Sequence, residues 1–267
     1  MTHAASSTGR RPTAVDSGVP HLGHAIQAEW TKIRSVRALW LPLVAAVVLA
    51  VSFVTLSVAT KNPMYSTGIQ KALDTSNKSF LLTQLAVMAT AACAITREYG
   101  ANGIHTSLLA VPRRGRFFTA KLIVVVTLAT ITGLLMSAPS VAIVFGSLDI
   151  QGSITDTAVV RAVIGAALYT GVLALLSLAI GAIVRSTATS ITLSIGLFSV
   201  LPTTLAMIQS DMIGKAAEFL PTNAGMKLLG VESGGAALGP WTGFAVMCVW
   251  AAAATITAGF LLHKRDA

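Results

Sequence analysis

The sequence predicts an all-α, polytopic membrane protein with six transmembrane helices, an N-terminal interfacial amphipathic helix and both termini in the cytoplasm. Six long apolar runs recur along the chain, and the mean hydropathy is +0.75. Only 11% of the residues are charged, whereas an average soluble domain has about 25%. Because so few charges cannot cover a water-exposed globular surface, the apolar runs are expected to face lipid.

The N-terminal part divides into a tail and a helix. Residues 1–20 are rich in Ser, Thr, Gly and Pro without periodicity, which predicts a disordered cytoplasmic tail. Residues 21–38 begin a pattern of apolar residues at steps of three and four, formed by Leu22, Ile26, Trp30, Ile33, Val36 and Trp40. Such a basic amphipathic pattern with tryptophans is typical of a helix in the membrane interface. The alternative is a cytosolic extension of the first span.

Residues 39–267 form the predicted six-span domain. Its apolar runs are approximately 39–59, 80–96, 118–146, 162–184, 188–208 and 241–262. At 1.5 Å per residue, about 20 helical residues cross a hydrocarbon core of roughly 30 Å. Runs four and five are separated only by residues 185–187, which predicts a tight helical hairpin.

The distribution of Lys and Arg predicts the orientation. The side that holds both termini, the segment 97–121 and Arg185 carries 13 Lys and Arg residues, and the other side carries 6. With 4 and 6 acidic residues respectively, the net charge is +9 on the first side and zero on the second. The positive-inside rule therefore places the first side in the cytoplasm, and the basic composition needs no nucleic-acid partner.

The spans offer little reactive chemistry. With Lys121 counted in the loop, they contain no Asp, Glu, Lys, Arg or His. Intramembrane charges cost at least about 2.5–3.5 kcal/mol each and usually mark ion or proton sites. Their absence argues against a proton-driven carrier or a membrane metalloprotease, and neither a metal site nor a catalytic residue is expected. No GxxxxGK[ST] loop occurs, so energy for any work must come from a partner.

Helix packing and helix bending have their own signals. Span four carries two small-residue pairs, Ala167 with Gly171 and Ser177 with Gly181, which permit close helix packing. Pro139 in span three and Pro202 in span five are expected to bend their helices.

The outer loop 209–240 is half apolar. Asp211 could cap a short helix through Phe219, and Thr222 or Asn223 could cap a second through Leu229. Two short helices that dip toward the outer leaflet and a plain surface loop both fit this pattern.

The segment 97–121 is polar, basic and glycine-bearing. Gly100 and Gly103 permit a break after span two, residues 104–111 can make two helical turns with one apolar side, and Pro112 ends them. From the residues alone, an inert connector is an alternative. The predicted headgroup and topology anchors are Arg113, Arg114, Arg116, Lys121, Lys32, Arg34 and Arg37.

Two stretches resemble the permease subunit of type-2 ATP-binding-cassette (ABC) exporters in its actinobacterial form. They are AEWTKIRSVRALW before the first span and TREYGANGIHTSLLAVPRRGRFFTAKL after the second. The resemblance implies that residues 21–38 are the connecting helix, that 209–240 contains re-entrant helices, and that 97–117 contains a coupling helix for a separate ATPase. The implied docking residues are Glu98, Tyr99, Gly100, Gly103, Ile104, His105, Thr106, Leu108 and Leu109.

The resemblance also implies a transporter of two permease subunits, identical or different, and two ATPases in a bacterial plasma membrane. It would export a hydrophobic or amphipathic substrate, with ATP and magnesium bound to the ATPase and no cofactor on this chain. One alternative is a non-transporting membrane sensor or immunity protein with the same fold. Another is a lipid-modifying membrane enzyme, which would need acid, base or metal ligands clustered at one depth.

Overall fold

A computed structural model describes residues 22–60, 69–100, 114–147, 153–208, 210–230 and 238–265. The predicted disordered tail, residues 101–113 of the predicted coupling segment and part of the outer loop lie outside these ranges. The α-helices of the described residues are α1 Leu22–Ser35, α2 Arg37–Ala59, α3 Ile69–Gly100, α4 Arg114–Ser147, α5 Thr157–Val184, α6 Thr187–Ile195, α7 Leu201–Ala206, α8 Asp211–Ala217, α9 Pro221–Met226 and α10 Pro240–Arg265.

Six segments are long and apolar enough to cross a membrane. They are Arg37–Ala59, Lys78–Tyr99, Gly115–Ser147, Thr157–Val184, Thr187–Ala206 and Pro240–Lys264. The fifth combines α6 and α7, and no β-strand occurs among the described residues. The predicted all-α class with six transmembrane helices is therefore confirmed.

The central helix of the bundle is α5, which packs against α3, α4 and α10. Its glycines allow two of these contacts to be close. A Cβ atom at Gly181 would lie 2.5 Å from Cγ2 of Ile95 on α3, and one at Gly171 would collide with the hydroxyl of Thr130 on α4. The glycine of each predicted small-residue pair thus lies where another helix approaches.

Three spans lie at the periphery of the bundle. Large apolar side chains are exposed on α2, on the span made of α6 and α7, and on α10; examples are Leu56, Val200 and Ile256. So much exposed apolar surface would be unfavourable in water, but in a bilayer it faces lipid or another subunit.

Span five is irregular at its centre. A π-helical turn, Gly196–Val200, follows α6, and α7 begins with Pro202 in its first turn. Proline lacks the N–H that a regular helical hydrogen bond requires. The π-helical turn therefore lies just before Pro202, the residue at which the sequence predicts a bend. Pro139 is instead enclosed by the continuous helix α4.

The amphipathic segment forms a helix distinct from the first span. At Val36 the backbone is extended, with φ −97° and ψ 98°, and this residue separates α1 from α2. The buried face of α1 consists of Ala25, Glu29 and Ile33, whereas Trp30 is 44% exposed. The apolar pattern indicates a buried face through Ile26 and Trp30, but the buried residues are their neighbours Ala25 and Glu29.

The segment between spans five and six, which is predicted to be an outer loop, contains the two short helices α8 and α9. The second of these, α9, continues into a 3-10 turn whose Leu228 and Leu229 are fully buried. A Cβ atom at Gly225 of α9 would lie 2.8 Å from the ring of Tyr169 on α5. Tyr169 is twelve residues from the first residue of α5, or about 18 Å along the helix. The segment therefore enters the bundle and is not a plain surface loop.

Candidate functional site

The predicted site residues are divided between the four helices α1 to α4 and a segment outside the described residues. Glu98, Tyr99 and Gly100 end α3, Lys32 and Arg34 lie on α1, Arg37 and Arg114 begin α2 and α4, and Arg116 and Lys121 follow within α4. Gly103, Ile104, His105, Thr106, Leu108, Leu109 and Arg113 lie outside the described residues.

Four charged side chains meet where α1, α3 and α4 converge. We call them the ionic cluster: Glu29 and Lys32 of α1, Glu98 of α3 and Lys121 of α4. Nζ of Lys121 lies 2.5 Å from Oε2 of Glu29 and 3.2 Å from Oε1 of Glu98. Nζ of Lys32 lies 2.5 Å from the same oxygen of Glu98 and 3.6 Å from Oε1 of Glu29. Two carboxylates are thus balanced by two ammonium groups.

Three members of the ionic cluster are buried. The side chain of Lys121 is 2% exposed and those of both glutamates are 7% exposed, while that of Lys32 is 42% exposed. Burial removes several kcal/mol of hydration from each ion, so these charges depend on one another. Removing one partner of a buried pair typically costs about 3–5 kcal/mol. The ionic cluster therefore fixes the position of α1 against α3 and α4.

Local helix geometry presents these charges to one another. Glu29 lies one turn from both Ala25 and Ile33 on the buried face of α1, and Lys32 follows it by three residues. The ammonium of Lys121 lies 5.2 Å from the ring centroid of Phe117, one turn earlier on α4. This cation–π contact places further electron density beside the buried ammonium.

The structure changes the setting expected for Lys121 and Glu98. Lys121 lies inside the span-capable segment Gly115–Ser147, so the prediction of spans without charges is wrong at this residue. Protein carboxylates enclose its ammonium, so its side chain does not reach the surface where a headgroup anchor would act. Glu98, which the resemblance implies for docking, is buried between α1 and α4 within this chain.

Sequence reasoning missed Glu29 as a functional candidate. It is one of only four acidic residues on the predicted cytoplasmic side, and it shares a helical face with the apolar Ala25 and Ile33. The sequence did contain a signal for Glu29, because it is an acid on the apolar face of an otherwise basic helix. A carboxylate that is buried there needs a partner.

The end of α3 also contacts the hairpin between α5 and α6. The guanidinium of Arg185 lies 5.0 Å from the ring centroid of Tyr99. Oγ1 of Thr187 donates a hydrogen bond of 2.9 Å to Oγ1 of Thr96. Tyr99, which the resemblance implies for docking, thus packs on a neighbouring hairpin.

A second polar region lies toward the predicted outer end of the bundle, and we call it the outer hydrogen-bond network. The Tyr169 hydroxyl donates to Oε1 of Gln84 over 2.7 Å, and Nε2 of Gln84 donates to Oγ of Ser199 over 3.2 Å. The Thr222 hydroxyl donates to the carbonyl of Phe198 over 2.6 Å. These bonds connect α3, α5, the π-helical turn and α9 through neutral groups.

Neither the ionic cluster nor the outer hydrogen-bond network has the arrangement of groups that a catalytic site requires. The charges of the ionic cluster are engaged with one another, and the network consists of hydroxyl, amide and carbonyl groups. Among the described residues, no group of three or more His, Cys, Asp or Glu could hold a metal ion. What the ionic cluster can do is hold three helix ends together, so that a displacement of one is passed to the others.

The comparison with protein families gives one match. The family described as ABC-2 family transporter protein matches residues 25–205. The match includes the ionic cluster and nearly all of the first five spans, and it ends before α8, α9 and α10. No curated protein sequence matches the chain. Membership of this family implies a partner ABC ATPase. The chain belongs to the ABC-2 transporter family, as a multi-pass membrane permease of an ABC transporter.

Proposed function

We propose that the chain is the permease subunit of an ATP-driven exporter in the bacterial plasma membrane. Two permease subunits, identical or different, form the pathway for a hydrophobic or amphipathic substrate, and the partner ATPase binds ATP and magnesium. Both termini and the segment 97–117 lie in the cytoplasm. The charge asymmetry of the chain supports this orientation, since +9 of net charge lies on one side.

The ionic cluster is the observation that carries this proposal. Residues 101–113 lie between α3 and α4, with Glu98 three residues before Ala101 and Lys121 eight residues after Arg113. Lys121 contacts both Glu98 and Glu29, so the same buried charges hold both ends of the segment and the helix α1. A displacement that the ATPase imposes on residues 101–113 would be passed to all three helices.

Coupling follows from a difference in affinity. If the nucleotide-bound ATPase prefers one position of these three helix ends, moving as a unit, relative to the rest of the bundle and the free ATPase prefers another, nucleotide binding shifts the equilibrium between inward-open and outward-open permease. Leu108 and Leu109 are the apolar residues that we assign to the ATPase contact. Glu29 would act through α1 and need not touch the ATPase.

The test separates docking from coupling. The tagged chain is purified from its host membranes, and the associated ATPase is measured together with ATP hydrolysis in the complex. We expect Leu108→Ala with Leu109→Ala to abolish association, while Glu29→Gln keeps association but changes the rate of ATP hydrolysis. Leu56→Ala is the matched control, because Leu56 is a 66% exposed residue of α2 outside the docking segment. Full association and unchanged hydrolysis in the double variant would place the docking site elsewhere.

A further inference from the structure

A groove of about 450 Å³ opens beside the break between α1 and α2. Its lining residues are Trp30, Ile33 and Arg34 of α1, Trp40 of α2 and Leu128 of α4. The groove forms because the extended backbone at Val36 interrupts the helix and leaves the two tryptophans on either side of the interruption. The lining includes Ile33, which is on the buried face of α1, but none of the four residues of the ionic cluster.

We propose that this groove binds one anionic phospholipid of the inner leaflet. The lipid phosphate lies on the guanidinium of Arg34, and the first part of an acyl chain lies between the indoles of Trp30 and Trp40 and over Leu128. The inference is independent of any ATPase partner and rests on the cytoplasmic orientation predicted from Lys and Arg.

The chemistry of the lining favours this ligand. Trp30 and Trp40 are 44% and 38% exposed, and tryptophan prefers the level of the headgroups, where its ring is in apolar surroundings and its N–H is solvated. Arg34 is exposed and makes no ion pair with any described residue, so its guanidinium is available for a phosphate. Arginine binds phosphate through a planar pair of N–H donors.

Size and charge narrow the choice of lipid. A groove of about 450 Å³ suits a phosphate, a glycerol and a few methylene groups, while the remaining chain stays in the bilayer. Anionic lipids are attracted to basic residues at the cytoplasmic surface. A zwitterionic lipid carries its own cation beside the phosphate and gains less from Arg34.

Tryptophan fluorescence tests the proposal directly. The full chain is placed in phosphatidylcholine bilayers with a small fraction of either brominated phosphatidylglycerol or brominated phosphatidylcholine. Subtracting the signal of a Trp30→Phe/Trp40→Phe variant isolates the two groove indoles. We expect stronger quenching by phosphatidylglycerol at equal mole fraction, and an apparent affinity about fivefold lower in Arg34→Gln, the effect of one arginine near an anionic surface.

The control is Arg37→Gln, which removes the same charge three residues away, at an exposed position that does not line the groove. We expect this variant to keep the preference for phosphatidylglycerol. Native mass spectrometry provides a second measurement, with one phosphatidylglycerol retained per wild-type chain and a loss in Arg34→Gln. Equal quenching by the two lipids, or equal losses in both arginine variants, would overturn the proposal. So would indoles that neither lipid quenches, since a second copy of the chain would then cover the groove.

Discussion

The two ends of the bundle are held together by different chemistry. At the predicted cytoplasmic end, four charges meet within 2.5–3.6 Å, and three of them are buried. Toward the outer end, the outer hydrogen-bond network joins helices through neutral groups such as Tyr169 and Gln84. Burying neutral groups costs less than burying ions, and their partners can be exchanged at lower energy.

We therefore expect the end that contains the ionic cluster to be stiffer than the end that contains the outer hydrogen-bond network. A buried ion left without its partner is penalised heavily, so the ionic cluster favours one arrangement of α1, α3 and α4. Interhelical hydrogen bonds in membranes contribute only about 0.6 kcal/mol on average, so the outer network can rearrange at small cost. We infer that the cytoplasmic end moves as a unit and that the rearrangement opening the outer side occurs around α9.

Among the described residues, an ion pair also lies toward the predicted outer end. Nζ of Lys227 lies 3.9 Å from Oε1 of Glu218, and both side chains are nearly buried. The separation is longer than the 2.5 Å contacts of the ionic cluster. The pair joins the end of α8 to the 3-10 turn within one short segment, whereas the ionic cluster joins three helices distant in sequence.

The largest predicted effect is at Lys121. Replacing Lys121 with Met removes the buried ammonium that the carboxylates of Glu29 and Glu98 share. We expect a loss of about 3–5 kcal/mol in the free energy of unfolding, measured by denaturation in mixed detergent micelles. Adding Glu29→Gln restores the balance of charge and should recover part of the loss. If both variants unfold like the wild type, the ionic cluster is not the stiff element described here.

An intermediate effect is expected in the buried outer segment. A Cβ atom at Gly225 would collide with Sδ of Met247 and lie 2.8 Å from the ring of Tyr169, so Gly225→Ala overpacks this contact. We expect a loss of about 1–3 kcal/mol in the same unfolding measurement.

Gly214→Ala is the matched control for this substitution. Gly214 lies on α8, where an added Cβ meets no atom within 4 Å. Alanine should be neutral there or stabilise the helix by about 0.5–1 kcal/mol. A Gly225→Ala variant as stable as Gly214→Ala would show that α9 does not pack against α5 as described.

The smallest effect is expected in the outer hydrogen-bond network. Tyr169→Phe removes the hydroxyl that donates to Gln84 and keeps the ring. We expect the free energy of unfolding to fall by about 0.6 kcal/mol, and by no more than about 1.7 kcal/mol. A double-mutant cycle with Gln84→Leu isolates the bond itself. A coupling energy as large as that between Glu29 and Lys121 would remove the contrast between the two ends.

The amino-acid pattern was sufficient for the spans but not for the ionic cluster. Runs of about 20 apolar residues have few structural solutions in a bilayer, so the six spans follow from composition and length. Lys121 follows Arg113, Arg114 and Arg116 along the chain. In the sequence it is therefore indistinguishable from the other cations of this basic segment. Its burial depends on the convergence of α1, α3 and α4, which no local pattern records.

The outer segment illustrates a similar limit. The sequence indicates two short helices between spans five and six, and α8 and α9 are present, but their N-caps are Ser210 and Leu220 and not the predicted Asp211 and Thr222 or Asn223. Their depth could not be read from the sequence because it depends on a remote contact. The carbonyl oxygen of Ala224 lies so close to Gly243 of α10 that no side chain would fit at this position. Only the packed structure relates these two positions.

Distances between spin labels can show whether α1 and α4 move together. Cysteines for spin labels are placed at the exposed Gln27 of α1, Thr119 of α4 and Met212 of α8, in pairs, with Cys93 and Cys248 replaced. Pulsed electron resonance then gives distances in the ATPase complex with and without ATP, and dilution with unlabelled chain removes distances between subunits. We expect the 27–119 distance to stay constant while the 27–212 distance changes, and Lys121→Met to broaden the 27–119 distribution. A 27–119 distance that changes with ATP as much as the 27–212 distance would contradict this expectation.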